Sequence, residues 1–192
     1  MAAVSVGVFG GAFDPPHVGH LALARAGVER FGLDRLLVRV VEDPGHKQVA
    51  TPPRLRLRLA QLAFGVLAGA EVALDPFART VDSLEALGLD DPVFLIGADE
   101  LAAFGEWKQP DRVLELARLG VATRPGVPQG RLDAVRAGLS RPERVTFFPI
   151  EPLPVSSSDI RARVAAGEPI DGLVAPAVAI EIERLGLYRA RR

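Results

Sequence analysis

The sequence predicts an α/β fold: a doubly wound, mainly parallel sheet with helices on both faces. Two observations predict it. Six short apolar runs recur along the chain, separated by amphipathic stretches suited to crossover helices. Glycine- and proline-bearing motifs then fall beyond the C-terminal ends of several of those runs, where open parallel sheets hold ligands.

Val4 to Phe9 is the first strand candidate. It ends at Gly10 and Gly11, where missing side chains let the backbone turn sharply and approach a ligand closely. A helix begins around Val18. The second strand, Leu36 to Val41, runs into Asp43 to Lys47. Next comes RLRLRL, Arg54 to Leu59, whose alternation suggests a strand. Pro52 and Pro53 before it, and Leu55, Leu59, Leu62 and Val66 at helical spacing, favour a helix with its arginines largely outside. Glu71 to Leu74, Val93 to Ile96, Leu119 to Thr123 and Arg144 to Phe148 complete the strands. Gly97 to Asp99 follow the fourth and Arg124 to Gly126 the fifth. In VSSSDIR, Val155 to Arg161, Ser156 suits a helix N-cap with Asp159 as a short-armed capping-box partner. Ser157, Ser158 and Arg161 then lie near the positive helix end.

Length and composition bound the function. A chain of 192 residues, 48% hydrophobic, buries a sizeable core and reads as one domain over 1–192, without repeat, low-complexity segment or linker. Zero cysteines exclude a disulfide framework, thiol catalysis and cysteine-bound zinc. The 23 Lys and Arg nearly balance 24 Asp and Glu, for a formal net charge of −1, which does not favour nucleic acid, and the terminal RARR reads as a solvated tail. No apolar run reaches the length of a membrane span and the N-terminus lacks a basic flank, so a soluble, cytoplasmic protein is expected. Homo-oligomer formation stays open.

The three histidines sit in two short stretches, and His17 and His20 fall in GGAFDPPHVGH after the first strand. Three residues apart, their imidazoles share one face of the first helical turn, beside unpaired backbone N–H groups and the positive helix end. Such a site attracts phosphate. The glycines do not fit G-x-G-x-x-G, and the Lys and Ser/Thr of a P-loop are missing. A resident metal is disfavoured, because two histidines without cysteines or H-E-x-x-H make a poor zinc site.

GGAFDPPHVGH resembles the nucleotidylyltransferase superfamily, which carries a glycine-rich turn, Phe-Asp-Pro and His-x-Gly-His at the first helix. VSSSDIR resembles that family's Ile-Ser-Ser-Thr-x-x-Arg. FLIGADELAAFGEWKQP, ARLGVATRPG and LVAPAVAIEIERLGLY, with DPGHK and RTVDSL, narrow the resemblance to the bacterial nicotinate-nucleotide adenylyltransferases along nearly the entire chain. The resemblance implies a Rossmann-like sheet of the HxGH nucleotidylyltransferase type. It also implies transfer of AMP from ATP to nicotinate mononucleotide, with Mg2+ accompanying the ATP.

The same resemblance distributes the work. Gly10, Gly11, His17, His20, Ser157 and Arg161 are expected at the ATP phosphates, and Gly97 and Asp99 at the ribose. Asp99 as a plain helix cap is the bland alternative. His17, His20, Lys47 and Arg161 are the candidate catalytic groups, and Lys47, Arg79, Thr80 and Trp107 the acceptor contacts. Trp107 would stack on the pyridine ring, although a sole tryptophan is by default a packing residue.

Departures from the family pattern fall where the acceptor would bind. Glu42 and Asp43 replace Gly and Asn, Gly45 replaces the second proline of Pro-Pro-His-Lys, and Arg79 stands where an aromatic residue is common. Arg79 is either a new ionic contact to the substrate or a solvated side chain, and His46 has no assigned role. Nicotinamide mononucleotide or phosphopantetheine as acceptor, and a non-catalytic nucleotide sensor, are the competing readings.

Overall fold

The computed structural model describes residues 4–45, 49, 51–123 and 129–190. All six expected strands are present. They are β1 (Val6–Gly11), β2 (Arg35–Val41), β3 (Ala70–Asp75), β4 (Val93–Gly97), β5 (Arg118–Thr123) and β6 (Val145–Pro149), hydrogen-bonded in the order β3-β2-β1-β4-β5-β6. Every pairing is parallel.

Between the strands lie α1 (Val18–Phe31), α2 (Pro53–Phe64), α3 (Thr80–Leu87), α4 (Ala98–Ala102), α5 (Pro110–Leu116) and α6 (Gln129–Ala137). After β6 come α7 (Ser157–Ala166) and α8 (Pro176–Leu185). Successive strand residues point to opposite faces, and both faces are buried. Phe9, Val38 and Leu95 enter one core cluster with Leu59, Phe64, Ile160 and Val178 from α2, α7 and α8. Val8, Leu37 and Phe94 enter the other with Leu84, Leu101, Val113 and Leu132 from α3 to α6. Helices on both faces are the doubly wound arrangement expected from the sequence. Gly27 lets α1 sit close on β4, since a Cβ there would stand 2.6 Å from Leu95 Cδ1.

Chain order reverses between β1 and β4, at the centre of the sheet. These two strands are in register at Gly7–Val93 and Val8–Phe94, whereas β1 and β2 stay paired as far as Gly11–Val40. Beyond Val8 and Phe94 the two central strands part. That divergence opens the crevice at which doubly wound sheets bind ligands.

Three expectations need correction. Val4 is exposed and outside β1, which instead runs on through Gly10 and Gly11. The sharp turn falls later, at Phe13 with φ 49, followed by a cis Asp14–Pro15 bond. Gly11 contributes space rather than a turn, because a Cβ there would come within 2.9 Å of the Phe13 ring. RLRLRL is helical, with Arg54 and Arg58 exposed, but Arg56 is buried. The inward face holds Arg56, Leu59, Ala60, Ala63 and Phe64, not the stripe ending at Val66, which is 65% exposed.

Candidate active site

The segment after β1 is tied down by four side-chain hydrogen bonds. Arg56 Nη1 donates to Ala12 O at 2.8 Å, Arg161 Nη1 to Asp14 O at 2.7 Å, and Ser157 Oγ to Pro15 O at 2.8 Å. The Tyr188 hydroxyl donates to Asp14 Oδ1 at 2.7 Å, and burial together with that carboxylate raises the phenol pKa. The Val155–Arg161 stretch therefore braces the loop of the first motif across some 140 residues of sequence. Its helix begins as expected, with Ser156 Oγ accepting from Asp159 N. Asp159 reciprocates through its carboxylate to the Ser156 hydroxyl rather than to the backbone.

His17 is itself the N-cap of α1. Its Nδ1 accepts from His20 N at 3.4 Å, while His20 Nδ1 accepts from His17 N at 3.2 Å. This reciprocal box stacks the rings, centroids 3.6 Å apart and planes inclined by 24°. Gly19 permits the stack, since a Cβ there would lie 3.1 Å from His17 Cε1 and Nδ1. The N–H groups of Val18 and His20 are thus already committed, to Leu173 O and His17 Nδ1, which corrects the picture of an uncapped helix end.

The cap decides the chemistry of the rings. A Nδ1 that accepts a backbone N–H carries no proton, so each ring proton sits on Nε2 and each imidazole meets phosphate oxygens as a donor. Burial reinforces this by lowering the His17 pKa from 6.5 to about 4. Because the folded value is depressed, the unfolded chain binds more protons between pH 6.5 and 4, and the stability contributed above 6.5 is lost as the pH falls through that window. His17→Asn, which caps without titrating, should flatten this part of the pH dependence. Thermal melts of both proteins from pH 7 to pH 4 check it, and parallel curves would exclude the cap as the titrating element.

These residues border a cavity of about 730 Å3. Gly10, Gly11, His17, His20, Gly97, Asp99, Ser157 and Arg161 line it, as do Arg79, Thr80 and Trp107. All the expected site residues except Lys47 thus converge on one space, and Lys47 and His46 lie outside the described residues. Gly97 is the N-cap position of α4, and Asp99, in the first turn of that helix, lines the cavity. Trp107 is half-buried. It packs against Phe104 (5.1 Å) and edge-on against Phe94 (6.2 Å), and it forms cavity wall. Arg79 precedes α3 and is exposed at the rim.

The cytidylyltransferase-like family profile matches residues 8–163. Proteins named "Probable nicotinate-nucleotide adenylyltransferase" from Chromobacterium violaceum and Thermomicrobium roseum are each 37% identical to this chain. The matches cover 96% of this chain and 98% and 91% of theirs. The chain belongs to the nicotinate-nucleotide adenylyltransferase family. The fold agrees with that of a Plasmodium falciparum nicotinic acid mononucleotide adenylyltransferase complexed with NaAD. There the TM-score is 0.75 at 14% identity, over 97% of this chain and 98% of that one.

Within this member of the adenylyltransferase family, four residues of the site region escaped the sequence reading. Arg56, 1% exposed, donates from Nε to Thr51 O (3.0 Å), from Nη1 to Ala12 O and Val41 O (both 2.8 Å) and from Nη2 to Glu42 O (2.7 Å). One guanidinium thereby joins the loop after β1 to the segment after β2. Burial opposes its charge, whereas Asp14, Tyr188, Asp43 and Glu42 favour it. The available signal was its place at the head of the face carrying Leu59, Ala60 and Ala63. The others are Arg39, Asp75 and Ser83, a cluster in the cavity wall drawn from β2, β3 and α3. Nothing in their local sequence marks them, because they meet only across strands.

Proposed function

We propose that this chain, acting as one catalytic domain over 1–192, transfers AMP from ATP to nicotinate mononucleotide, giving nicotinate adenine dinucleotide and pyrophosphate in NAD biosynthesis. The observation that carries this reading is the pair of capped, neutral imidazoles facing the same cavity as the acceptor-side residues Thr80 and Trp107. The names of the bacterial relatives support the choice of acceptor.

The chemistry asks little covalent work of the protein. A phosphate oxygen of the mononucleotide attacks the α-phosphorus of ATP, the bond to the β-phosphate bridging oxygen breaks, and pyrophosphate departs with its electrons. The acceptor phosphate is already anionic, so the protein aligns two repelling anions and stabilises charge on the transferring group and leaving group. His17 and His20 donate to phosphate oxygens, and Arg161 and Ser157 hold the loop while bordering the phosphate region. Gly97 and Asp99 receive the ribose, and Trp107 packs against the pyridine. Lys47 supplies a cation to the triphosphate or the incoming nucleotide. Magnesium would arrive with ATP and would supply positive charge against the triphosphate. Among the described residues no group of three or more His, Cys, Asp or Glu could hold a metal ion.

No helix of the described residues is long and apolar enough to cross a membrane, and a cytoplasmic enzyme without nucleic-acid partners is part of this reading. Pyrophosphate release should be measured with ATP and nicotinate mononucleotide, nicotinamide mononucleotide or phosphopantetheine in parallel. Turnover with the acid mononucleotide ahead of the other two is expected. Preference for either competitor would replace the acceptor, and nucleotide binding without turnover would make the chain a sensor.

A further inference from the structure

Two arginines border the acceptor side of the cavity, and their surroundings differ. Arg79 is exposed at the rim, where water screens its charge. Arg39 lies within β2, in register with Gly10 of β1 and Ala73 of β3, so the positions on either side of it carry no side chain or a single methyl. Only 18% of its side chain is exposed. It lines the same cavity as Phe94, Thr80 and Trp107.

The hydrogen-bond inventory around Arg39 is one-sided. Asp75, the carboxylate nearest to it, already accepts the Ser83 hydroxyl at 2.6 Å through Oδ2 and the Phe77 N–H at 3.1 Å through Oδ1. Arg39 Nε stands 3.9 Å from Asp75 Oδ2, an ion pair beyond hydrogen-bond reach. That Nε is buried with no hydrogen-bond partner among the described residues. Asp75 therefore holds the guanidinium by charge while spending its own oxygens elsewhere. What Arg39 offers a ligand is the exposed fraction of a planar guanidinium in a mostly buried cavity wall, and a guanidinium there complements a carboxylate. A carboxamide would offer the guanidinium one neutral oxygen in place of two anionic ones.

We infer that Arg39 is the specificity-determining residue of the acceptor site, reading the acid group of the pyridine mononucleotide from the floor of the cavity while Arg79 remains at its rim. This assignment rests on the acceptor proposed above. It predicts that discrimination between acid and amide mononucleotides follows residue 39. Arg39→Met should lower the ratio of kcat/KM for nicotinate mononucleotide to that for nicotinamide mononucleotide by about 10- to 100-fold, the range expected for a hydrogen bond to a charged group. Arg39→Lys, keeping the charge without the planar fork, should fall between.

Each ratio is taken within one preparation, so a lower yield of folded enzyme leaves it unchanged. If Arg39→Met does not fold, Arg39→Lys carries the same test. An unchanged ratio in the Arg39 variants, or a ratio that collapses in Arg79→Ala while Arg39→Lys retains the wild-type value, overturns the assignment and leaves the acceptor standing. Wild-type enzyme that adenylylates neither mononucleotide, or prefers the amide, overturns the acceptor and the assignment together.

Discussion

His20→Ala should lower kcat/KM for adenylyl transfer by two to three orders of magnitude, about 3 to 4 kcal/mol of transition-state stabilisation. The physical reason lies in the reciprocal cap. Because His20 Nδ1 accepts from His17 N, the ring proton is held on Nε2, and the donor is oriented before substrate arrives. Its ring is also fixed edge-on against Phe13 at 5.2 Å, so little reorganisation is needed when charge develops on the phosphates. Alanine removes the donor and the His20 half of the capping box, while His17 remains the N-cap. One backbone N–H loses its partner, at a cost of about 0.5 to 1.5 kcal/mol, so the kinetic comparison is made on protein shown by its melting curve to be folded. Wild-type turnover in such a variant would remove His20 from the chemistry.

Arg56→Met should have the largest effect on stability, about 3 to 5 kcal/mol, as expected when one partner of a buried charged network is taken away. Methionine fills much of the same space but leaves the carbonyls of Ala12, Thr51, Val41 and Glu42 without the donors that Arg56 supplied. Each buried carbonyl deprived of a partner costs on the order of 1 to 3 kcal/mol, less where water enters. Because the tie spans the segments after β1 and β2, the KM values for ATP and for the acceptor should rise together. Urea unfolding with two-substrate kinetics checks both effects. A midpoint near that of the wild type, or a change confined to one substrate, would show that Arg56 does not couple the two loops. Arg56→Lys keeps a charge but cannot reach four carbonyls at once, and should resemble methionine more than wild type.

Much of the site was legible because its determinants are local. The run before Gly10 reads as a strand, and His17 and His20 sit at a separation that must place them on one turn. Ser156 and Asp159 have the spacing of a cap. Each conclusion needs only a few consecutive residues, and the structure bears out each in outline. Where local reasoning faltered, it assigned conformation to the wrong residue. Gly10 and Gly11 were read as the turn because glycine tolerates turning. Both instead continue the strand, with Gly11 leaving room for the Phe13 ring, while Phe13 takes the left-handed conformation.

By itself the sequence determined the doubly wound sheet, the end of the sheet at which the motifs gather, and which motif residues border the cavity. Period-two and period-3.6 apolar spacing and short motifs encode these within a few residues of themselves. Only the tertiary structure decided which charges are inside. Arg56 lies within RLRLRL and looks no different from Arg54 and Arg58. It is buried because carbonyls from Ala12, Val41 and Glu42, contributed by two other segments, converge on it. Arg39 and Asp75 are likewise ordinary strand residues until β2 and β3 pair and α3 brings Ser83 across. A charged side chain can be buried only where distant segments supply its partners, and those partners exist only once the chain has folded.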